Sequence, residues 1–263
     1  MIGKNQVPDS TKEIIDAQTE IFKESVSITN YNEIPDTNSI PLENKTHWFQ
    51  VNDVICVYVD MINSTQMSAS TYAKSTASIY SYFTETAIRI FHDVGTPYID
   101  IKGDGVFALF NSNQVNKALA SAILFKTFIQ EEFSPRIKSK HDLDIGSHCG
   151  IDQKTLLVKR FGLKRAGLRT DRQNEVWAGK PVNMAAKLAS LSEKNEILVS
   201  KRFWKNINHE NLLKSCGCPN GVTDLWKSFQ TNSDKFDFDT YYKLESNWCK
   251  DHGKDYCNEV LNS

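Results

Sequence analysis

Two aspartates stand at points where predicted strands end. Asp60 closes the apolar run 54–59, and Asp104 lies in the turn Lys102-Gly103-Asp104-Gly105 between two further strand-like runs. Magnesium takes oxygen ligands, and one or two carboxylates suffice when a phosphate substrate supplies the others. Either aspartate alone would be an ordinary turn residue. Together they indicate a phosphoryl-transfer site.

A second polar group lies in the segment 179–189, which predicts a helix that starts near Pro181. Asn183 and Lys187 are four positions apart and would project from one face of it. An amide and an ammonium so placed could orient a ribose and offset charge developing on an α-phosphate. The alternative is a solvated polar stripe opposite an apolar face.

The segments around these residues predict a sheet covered by helices. A strand at 54–59 precedes a helical pattern at 70–92, and strands at 98–101 and 106–110 flank the Gly103-Asp104 turn. A second helical pattern at 115–129 leads to a strand through Leu143, Ile145 and Cys149. The predicted fold class is α+β, with the βαββαβ order of a ferredoxin-like palm.

The 263 residues fit one enlarged domain with two appendages. We expect an N-terminal arm at 1–46 with a helix at 10–24, a catalytic domain at 47–206 and a C-terminal extension at 207–263. Thirty-one basic and 32 acidic residues nearly cancel, which argues against a nucleic-acid partner. No apolar run of membrane-spanning length occurs, and the first residues lack the apolar core of a signal peptide, so we expect a cytoplasmic protein without a membrane partner.

The six cysteines are expected to be thiols or metal ligands, because no export signal is evident. Cys56 and Cys149 lie in predicted core strands. The extension carries four more, Cys216, Cys218, Cys249 and Cys257, together with His252. Four thiolates, or three and one imidazole, could form a structural zinc site. Free thiols are the alternative.

The motifs together resemble those of class III nucleotide cyclases, over residues 50–206. That family carries a strand-ending aspartate with a short loop and helix, a Gly-Asp hairpin, and a Val-Asn-x-Ala-x-Arg helix. The corresponding segments here are Asp60-Met61-Ile62-Asn63-Ser64-Thr65, Gly103-Asp104 and Val182-Asn183-Met184-Ala185-Ala186-Lys187. The resemblance implies a cyclase palm that converts a nucleoside triphosphate to a 3′,5′-cyclic monophosphate and pyrophosphate.

The resemblance also implies roles for these residues. Asp60, Asp104 and the backbone carbonyl of Met61 would bind two Mg²⁺ or Mn²⁺ ions, and the amides of 62–65 would hold the β- and γ-phosphates. Asn183 would orient the ribose. Lys187 replaces the family's transition-state arginine, which keeps the charge but loses the planar fork, so a slower enzyme is expected.

The base-reading position departs from the family as well. Adenylate cyclases usually carry a lysine four residues before the second metal aspartate, and guanylate cyclases a glutamate; this chain has Asp100. A carboxylate accepts hydrogen bonds, which suits uracil, cytosine or guanine better than adenine. Tyr58 and Trp177 could narrow the base pocket to a pyrimidine.

The segment 165–179 resembles the pyrimidine cyclases of bacterial Pycsar antiphage systems. That likeness implies a cyclic UMP or cyclic CMP messenger acting on a separate effector. The resemblance to class III cyclases implies a head-to-tail homodimer with shared active sites. We expect UTP as the substrate, with CTP, a purine triphosphate, or a catalytically weak nucleotide-binding module as alternatives. A predicted hairpin with Arg169 and Arg172 could bend over the triphosphate or lie in solvent.

Overall fold

The computed structural model describes residues 3–40, 42, 45–163, 173–246 and 248–263. Its strands are β1 (Ser27–Tyr31), β2 (His47–Ile62), β3 (Tyr98–Lys102), β4 (Gly105–Phe110), β5 (Gly146–Gly162), β6 (Gln173–Gly179), β7 (Ile197–Ser200), β8 (Trp226–Gln230) and β9 (Thr240–Leu244). The helices are α1 (Asp9–Lys23), α2 (Ser64–Ser70), α3 (Ala73–Asp93), α4 (Val115–Phe128), α5 (Ser134–His141), α6 (Lys180–Leu191), α7 (Lys201–Trp204), α8 (Glu210–Leu213) and α9 (Gly253–Leu261).

The centre of the sheet is a four-stranded palm in the order β3-β4-β2-β5, with each neighbouring pair antiparallel. This is the strand order of a ferredoxin-like βαββαβ unit, so the predicted α+β class is confirmed. On the far side of β5 the sheet continues through β7, β9 and β8. β1 pairs with β2, and β6 with β5.

The palm buries apolar side chains on both faces, as the period of two along β2 requires. Ile55, Val57 and Val59 belong to a core that also contains buried phenylalanines of α3 and α4. Val54 and Cys56 belong to a second core on the other face. Each large side chain buried in this way stabilises the fold by roughly 1.5–3 kcal/mol.

Several boundaries differ from the sequence prediction. β2 is much longer than 54–59, and its register against β5 shifts between Val51 and Val54, where Asp53 takes a left-handed φ of 53°. β5 begins at Gly146, so Leu143 and Ile145 lie before the strand. Asp142 ends α5 with a left-handed φ of 55°, and the chain turns there before pairing begins.

The two appendages contribute strands to the same sheet. β1, from the region expected to be an arm, runs parallel to the first residues of β2. β8 and β9, from the expected extension, form an antiparallel pair, and β9 pairs with β7. Among the helices described, none combines the length and the hydropathy needed to cross a membrane.

Candidate active site

A row of paired residues crosses the palm and sets the floor of a groove. Tyr58 pairs with Phe107 on one side and Gly150 on the other, and Phe107 pairs with Asp100. Cross-strand partners project from the same face, so Tyr58, Phe107 and Asp100 lie side by side. With Trp177 and neighbouring residues they line a groove of about 380 Å³.

Helix α6 forms one wall of this groove and lies unusually close to the sheet. A Cβ on Gly150 would stand 2.0 Å from the carbonyl oxygen of Ala185 and 2.5 Å from the amide nitrogen of Ala189. Only glycine therefore permits this approach of helix to strand. The helix begins with Lys180 and Pro181, as expected, and it places Asn183 on the groove.

The two aspartates lie at the edge of the palm where the β3–β4 hairpin turns. Gly103 takes a left-handed φ of 67° in this turn, which glycine adopts without strain. A Cβ on Gly105 would meet the hydroxyl of Tyr58 at 2.2 Å and Oδ1 of Asp60 at 3.1 Å. The glycine therefore makes room chiefly for the Tyr58 phenol, which lies beside the Asp60 carboxylate.

The electrostatics of this pair fit a cation. Oδ1 of Asp60 is buried and has no hydrogen-bond partner among the described residues. Burial, and next the negative charge of Asp104, raise the pKa of Asp60 to about 6. Uncompensated carboxylate oxygens of this kind are the ligands that hard divalent cations prefer.

The same surroundings keep the Tyr58 phenol neutral. Burial raises its pKa to about 12, with further contributions from the charges of Asp60 and Asp104. A neutral phenol can still donate a hydrogen bond. Tyr58 therefore places a neutral donor between the two aspartates and the groove that it lines.

The loop after Asp60 has the predicted form. β2 ends at Ile62, Asn63 caps α2 in a left-handed conformation, and the helix starts with Ser64 and Thr65. The side-chain amide of Asn63 donates to the backbone carbonyl of Asp144 at 2.9 Å, which fixes the turn. The Met61 side chain is buried in the core, so any metal contact there falls to its backbone carbonyl.

Asp100 is held by two contacts that the sequence analysis missed. Its Oδ1 accepts the backbone N–H of Ile101 at 2.8 Å, and its Oδ2 forms an ion pair with the Lys102 ammonium at 2.7 Å. Lys102 also lines the groove. The sequence spacing could have predicted the pair of Asp100 and Lys102, because residues two apart on a strand share a face.

Trp177 and Lys187 differ in how well they meet the expectation. Trp177 is almost fully buried on β6, and its ring lies 4.6 Å from that of Tyr98, so it forms a wall of the groove. Lys187 is not among the groove-lining residues. Its ammonium donates to the carbonyl oxygen of Lys235 at 2.5 Å, which leaves two donors for other partners. Arg169 and Arg172 lie outside the described residues.

The predicted thiol ligands do not all meet. Cys216, Cys218 and Cys249 come together with His252, whereas Cys257 lies further along α9 and is not part of the group. Of the two ligand sets considered from the sequence, the structure assembles three thiols and one imidazole. Cys56 and Cys149 are buried in the sheet, as expected.

The fold has many solved counterparts among cyclases. The adenylyl cyclase CyaB from P. aeruginosa superposes with a TM-score of 0.61 at 17% identity, covering 78% of this chain and 98% of that one. The guanylyl cyclase Cya2 gives 0.59 at 14% identity, covering 75% and 93%. These likenesses establish the cyclase fold. No family model matches the chain.

Curated relatives are similar over most of the chain. A uridylate cyclase of Micromonospora echinofusca is 34% identical over 252 residues, which cover 94% of this chain and 81% of the relative. A uridylate cyclase of Propioniciclava tarda is 32% identical over 228 residues, covering 84% and 73%. The protein is therefore a nucleotide cyclase, and it belongs to the uridylate cyclase family.

Proposed function

We propose that the protein converts UTP to 3′,5′-cyclic UMP and pyrophosphate. The observation that carries the proposal is that one chain presents both halves of a cyclase site: the buried, unpartnered Asp60 oxygen beside Asp104, and a groove that holds Asp100 and Asn183. The two aspartates Asp60 and Asp104 suit metal-bound phosphates, and the groove suits a nucleoside. The choice of uracil rests on the relatives named uridylate cyclase together with the polar groups of the groove.

The groove offers an acceptor and a donor to the edge of a base. Asp100 can accept the N3–H of uracil while Lys102 donates to a neighbouring carbonyl oxygen. Adenine presents an acceptor at the corresponding ring nitrogen, which Asp100 could not satisfy. Tyr58 and Trp177 would limit the width of the groove and so favour a single ring.

Asp60, Asp104 and the carbonyl of Met61 would hold the divalent cations. When bound, such ions neutralise triphosphate charge and make the ribose 3′-hydroxyl easier to deprotonate. The amides of 62–65, at the turn into α2, would contact the β- and γ-phosphates.

Cyclisation requires the 3′-oxygen to attack the α-phosphorus in line with the departing pyrophosphate. The O3′–P bond forms, the bond from the α-phosphorus to the bridging oxygen breaks, and the 3′-hydroxyl proton leaves to solvent. Asn183 would orient the ribose for this attack by hydrogen bonding. Lys187 would stabilise the phosphate charge through the donors not engaged with Lys235.

A complete site would need two chains arranged head to tail. The groove of one chain is lined by Asn183 but not by Asp60 or Asp104. The aspartates of a second copy would supply the metals to this groove. Mixing Asp60→Ala with Asn183→Ala protein should then restore activity, because one heterodimer site keeps every residue; no recovery would contradict the shared arrangement.

The product would serve as a messenger in antiphage defence, acting on a separate effector. The support is the likeness of the segment 165–179 to pyrimidine cyclases of such systems. Cells that carry the cyclase and the effector that responds to its product should survive phage challenge as a population, and cells with Asp104→Ala should not. Equal protection by both would contradict this role.

The direct test is incubation of the purified protein with UTP, CTP, GTP and ATP in turn, with Mn²⁺, and identification of products by mass spectrometry. Cyclic UMP as the main product supports the proposal. Cyclic CMP as the main product would support the cyclisation reaction but contradict the proposed recognition of uracil. A purine product, or none from any of the four, would contradict the function proposed for the groove.

A further inference from the structure

We propose that Cys216, Cys218, Cys249 and His252 bind one zinc ion that fastens the C-terminal helix α9 to the body of the enzyme. The site shares no residue with the groove or with the aspartate pair. It is therefore a structural metal site, separate from the catalytic metals.

The ligand atoms lie near the separations of a tetrahedral site. All four lie within 4.8 Å of one another. The Cys216 and Cys249 sulfurs are 3.3 Å apart, and Nδ1 of His252 lies 3.3 Å from the Cys249 sulfur and 3.6 Å from that of Cys218. Zinc bonds of about 2.3 Å to sulfur and 2.0–2.1 Å to nitrogen place tetrahedral ligands about 3.5–3.8 Å apart.

The local backbone favours thiolates at this point. The backbone N–H of His252 donates to the Cys249 sulfur at 3.3 Å. A thiolate is the form that binds metal, and a set of three sulfurs and one imidazole suits zinc.

The four ligands come from two segments that are far apart in sequence. Cys216 and Cys218 lie in the loop after α8, and Cys249 and His252 immediately precede α9. A closed set of four protein ligands leaves no position for substrate, which is the pattern of structural rather than catalytic zinc. The ion would cross-link the loop to the start of the last helix.

The last helix has few other attachments. α9 buries Val260 and packs on α4. Asn211 donates to the Glu259 carboxylate at 2.7 Å, and the Trp248 indole donates to the Asn211 carbonyl at 2.7 Å. The contacts of α9 itself hold its second half, and a metal bound by Cys249 and His252 would hold its start.

Metal analysis of the full-length protein tests the proposal. We expect about one zinc per chain after purification without chelator, as a closed four-ligand site requires. Replacement by Co²⁺ should give the intense visible absorption of a tetrahedral thiolate site. Wild-type protein that holds no zinc and gives no such spectrum with added Co²⁺ would overturn the proposal, whatever the variants do.

Variants identify the ligands. Cys218→Ser and His252→Gln should each weaken zinc binding by at least about 100-fold, since losing an outer partner alone costs roughly 10–100-fold. Cys257→Ser is the matched control and should keep its zinc. Equal zinc loss in Cys257→Ser, or a Cys216–Cys249 disulfide trapped by alkylation in freshly purified protein, would also contradict the site.

A chelator gives the structural readout. Removing zinc should lower the Tm of the wild type and of Cys257→Ser, and should make α9 more accessible to protease. Cys218→Ser should start from the lower Tm and respond less to chelator. An unchanged wild-type Tm after complete metal removal would overturn the cross-linking role.

Discussion

Two groups of carboxylates in this molecule differ in how their charge is balanced. Asp60 and Asp104 lie together with no ion pair to a described residue, and the pKa of Asp60 is raised to about 6 by burial and by its neighbour. Asp152 and Asp237 instead surround the guanidinium of Arg202. The comparison separates carboxylates that we propose bind an external cation from carboxylates that are paired within the chain.

Arg202 and its two aspartates are all engaged in ion pairs. Asp152 is fully buried, and Arg202 Nε donates to its Oδ1 at 2.7 Å. Arg202 Nη1 lies 3.0 Å from each oxygen of Asp237, which also pairs with Lys180 at 2.9 Å and Lys154 at 3.2 Å. Burial would raise the pKa of Asp237, but hydrogen bonds from Arg202 and Lys180 lower it well below its usual value.

Removing the unpaired carboxylates should have the largest effect on activity. Asp60→Ala and Asp104→Ala should each lower kcat by more than about 100-fold, because a lost first ligand costs at least as much as a lost outer partner. Circular dichroism and Tm should show an intact fold. Asp93→Ala, an exposed carboxylate at the end of α3, is the control. Near-wild-type turnover in either variant would contradict the proposal that these residues bind the catalytic metals.

Removing the cation from the paired group should instead affect stability. Arg202→Met leaves Asp152 buried and uncompensated, which should lower the free energy of unfolding by about 3–5 kcal/mol. Adding Asp152→Leu should recover much of this loss, because an apolar pair can replace a buried ion pair. Urea unfolding of both variants checks this. Equal instability of the single and double variants would contradict the assignment of the cost to Asp152.

Asp60 and Asp237 should respond oppositely to neutralisation, whereas burial raises the pKa of Asp152 despite its pairing with Arg202. The folded-state pKa of Asp60, about 6, lies above the ordinary value of 3.8, so its ionisation opposes folding. That cost is fully present above pH 6 and fades as the pH falls toward 3.8. Asp60→Asn should therefore raise the Tm by a few degrees in EDTA well above pH 6.

Near pH 3.8 this gain should be absent, because the wild-type carboxyl is then protonated in the native state. Mn²⁺ should raise the wild-type Tm above pH 6 but leave that of Asp60→Asn nearly unchanged. In the paired group, Asp237→Asn should lower the Tm above pH 6. An Asp60→Asn variant that is less stable than the wild type at every pH would contradict the opposite effects expected for Asp60 and Asp237.

The sequence predicted that Asp60 and Asp104 would lie together but did not predict the ion pairs of Arg202, and the reason is the range of the contacts. Asp60, Asp104 and Pro181 are marked by local features: a strand end, a glycine turn and a helix start. Arg202 and Asp152 are 50 residues apart in sequence. Periodicity and turn chemistry carry no information on which distant charges meet.

The same limit applies to two other contacts. Lys187 meets the Lys235 carbonyl from 48 positions away, and His252 joins sulfurs from a loop 34 positions away. The strands β8 and β9 were missed because the extension has short, mostly polar strands. The palm was predicted because its elements have long, regular apolar patterns.

The smallest expected effect concerns Lys102. Its ammonium is paired with Asp100, as in the Arg202 group, but both residues also line the groove. Lys102→Met removes the donor beside Asp100 but leaves the acceptor. The preference for UTP over CTP in kcat/KM should fall about tenfold, the scale of a modest pocket contact. Lys102→Arg should keep most of the preference, and Lys74→Met, an exposed lysine on α3, should not change it. If the preference stays constant while only kcat falls, Lys102 contacts phosphate rather than the base, and Asp100 must then distinguish the bases without it.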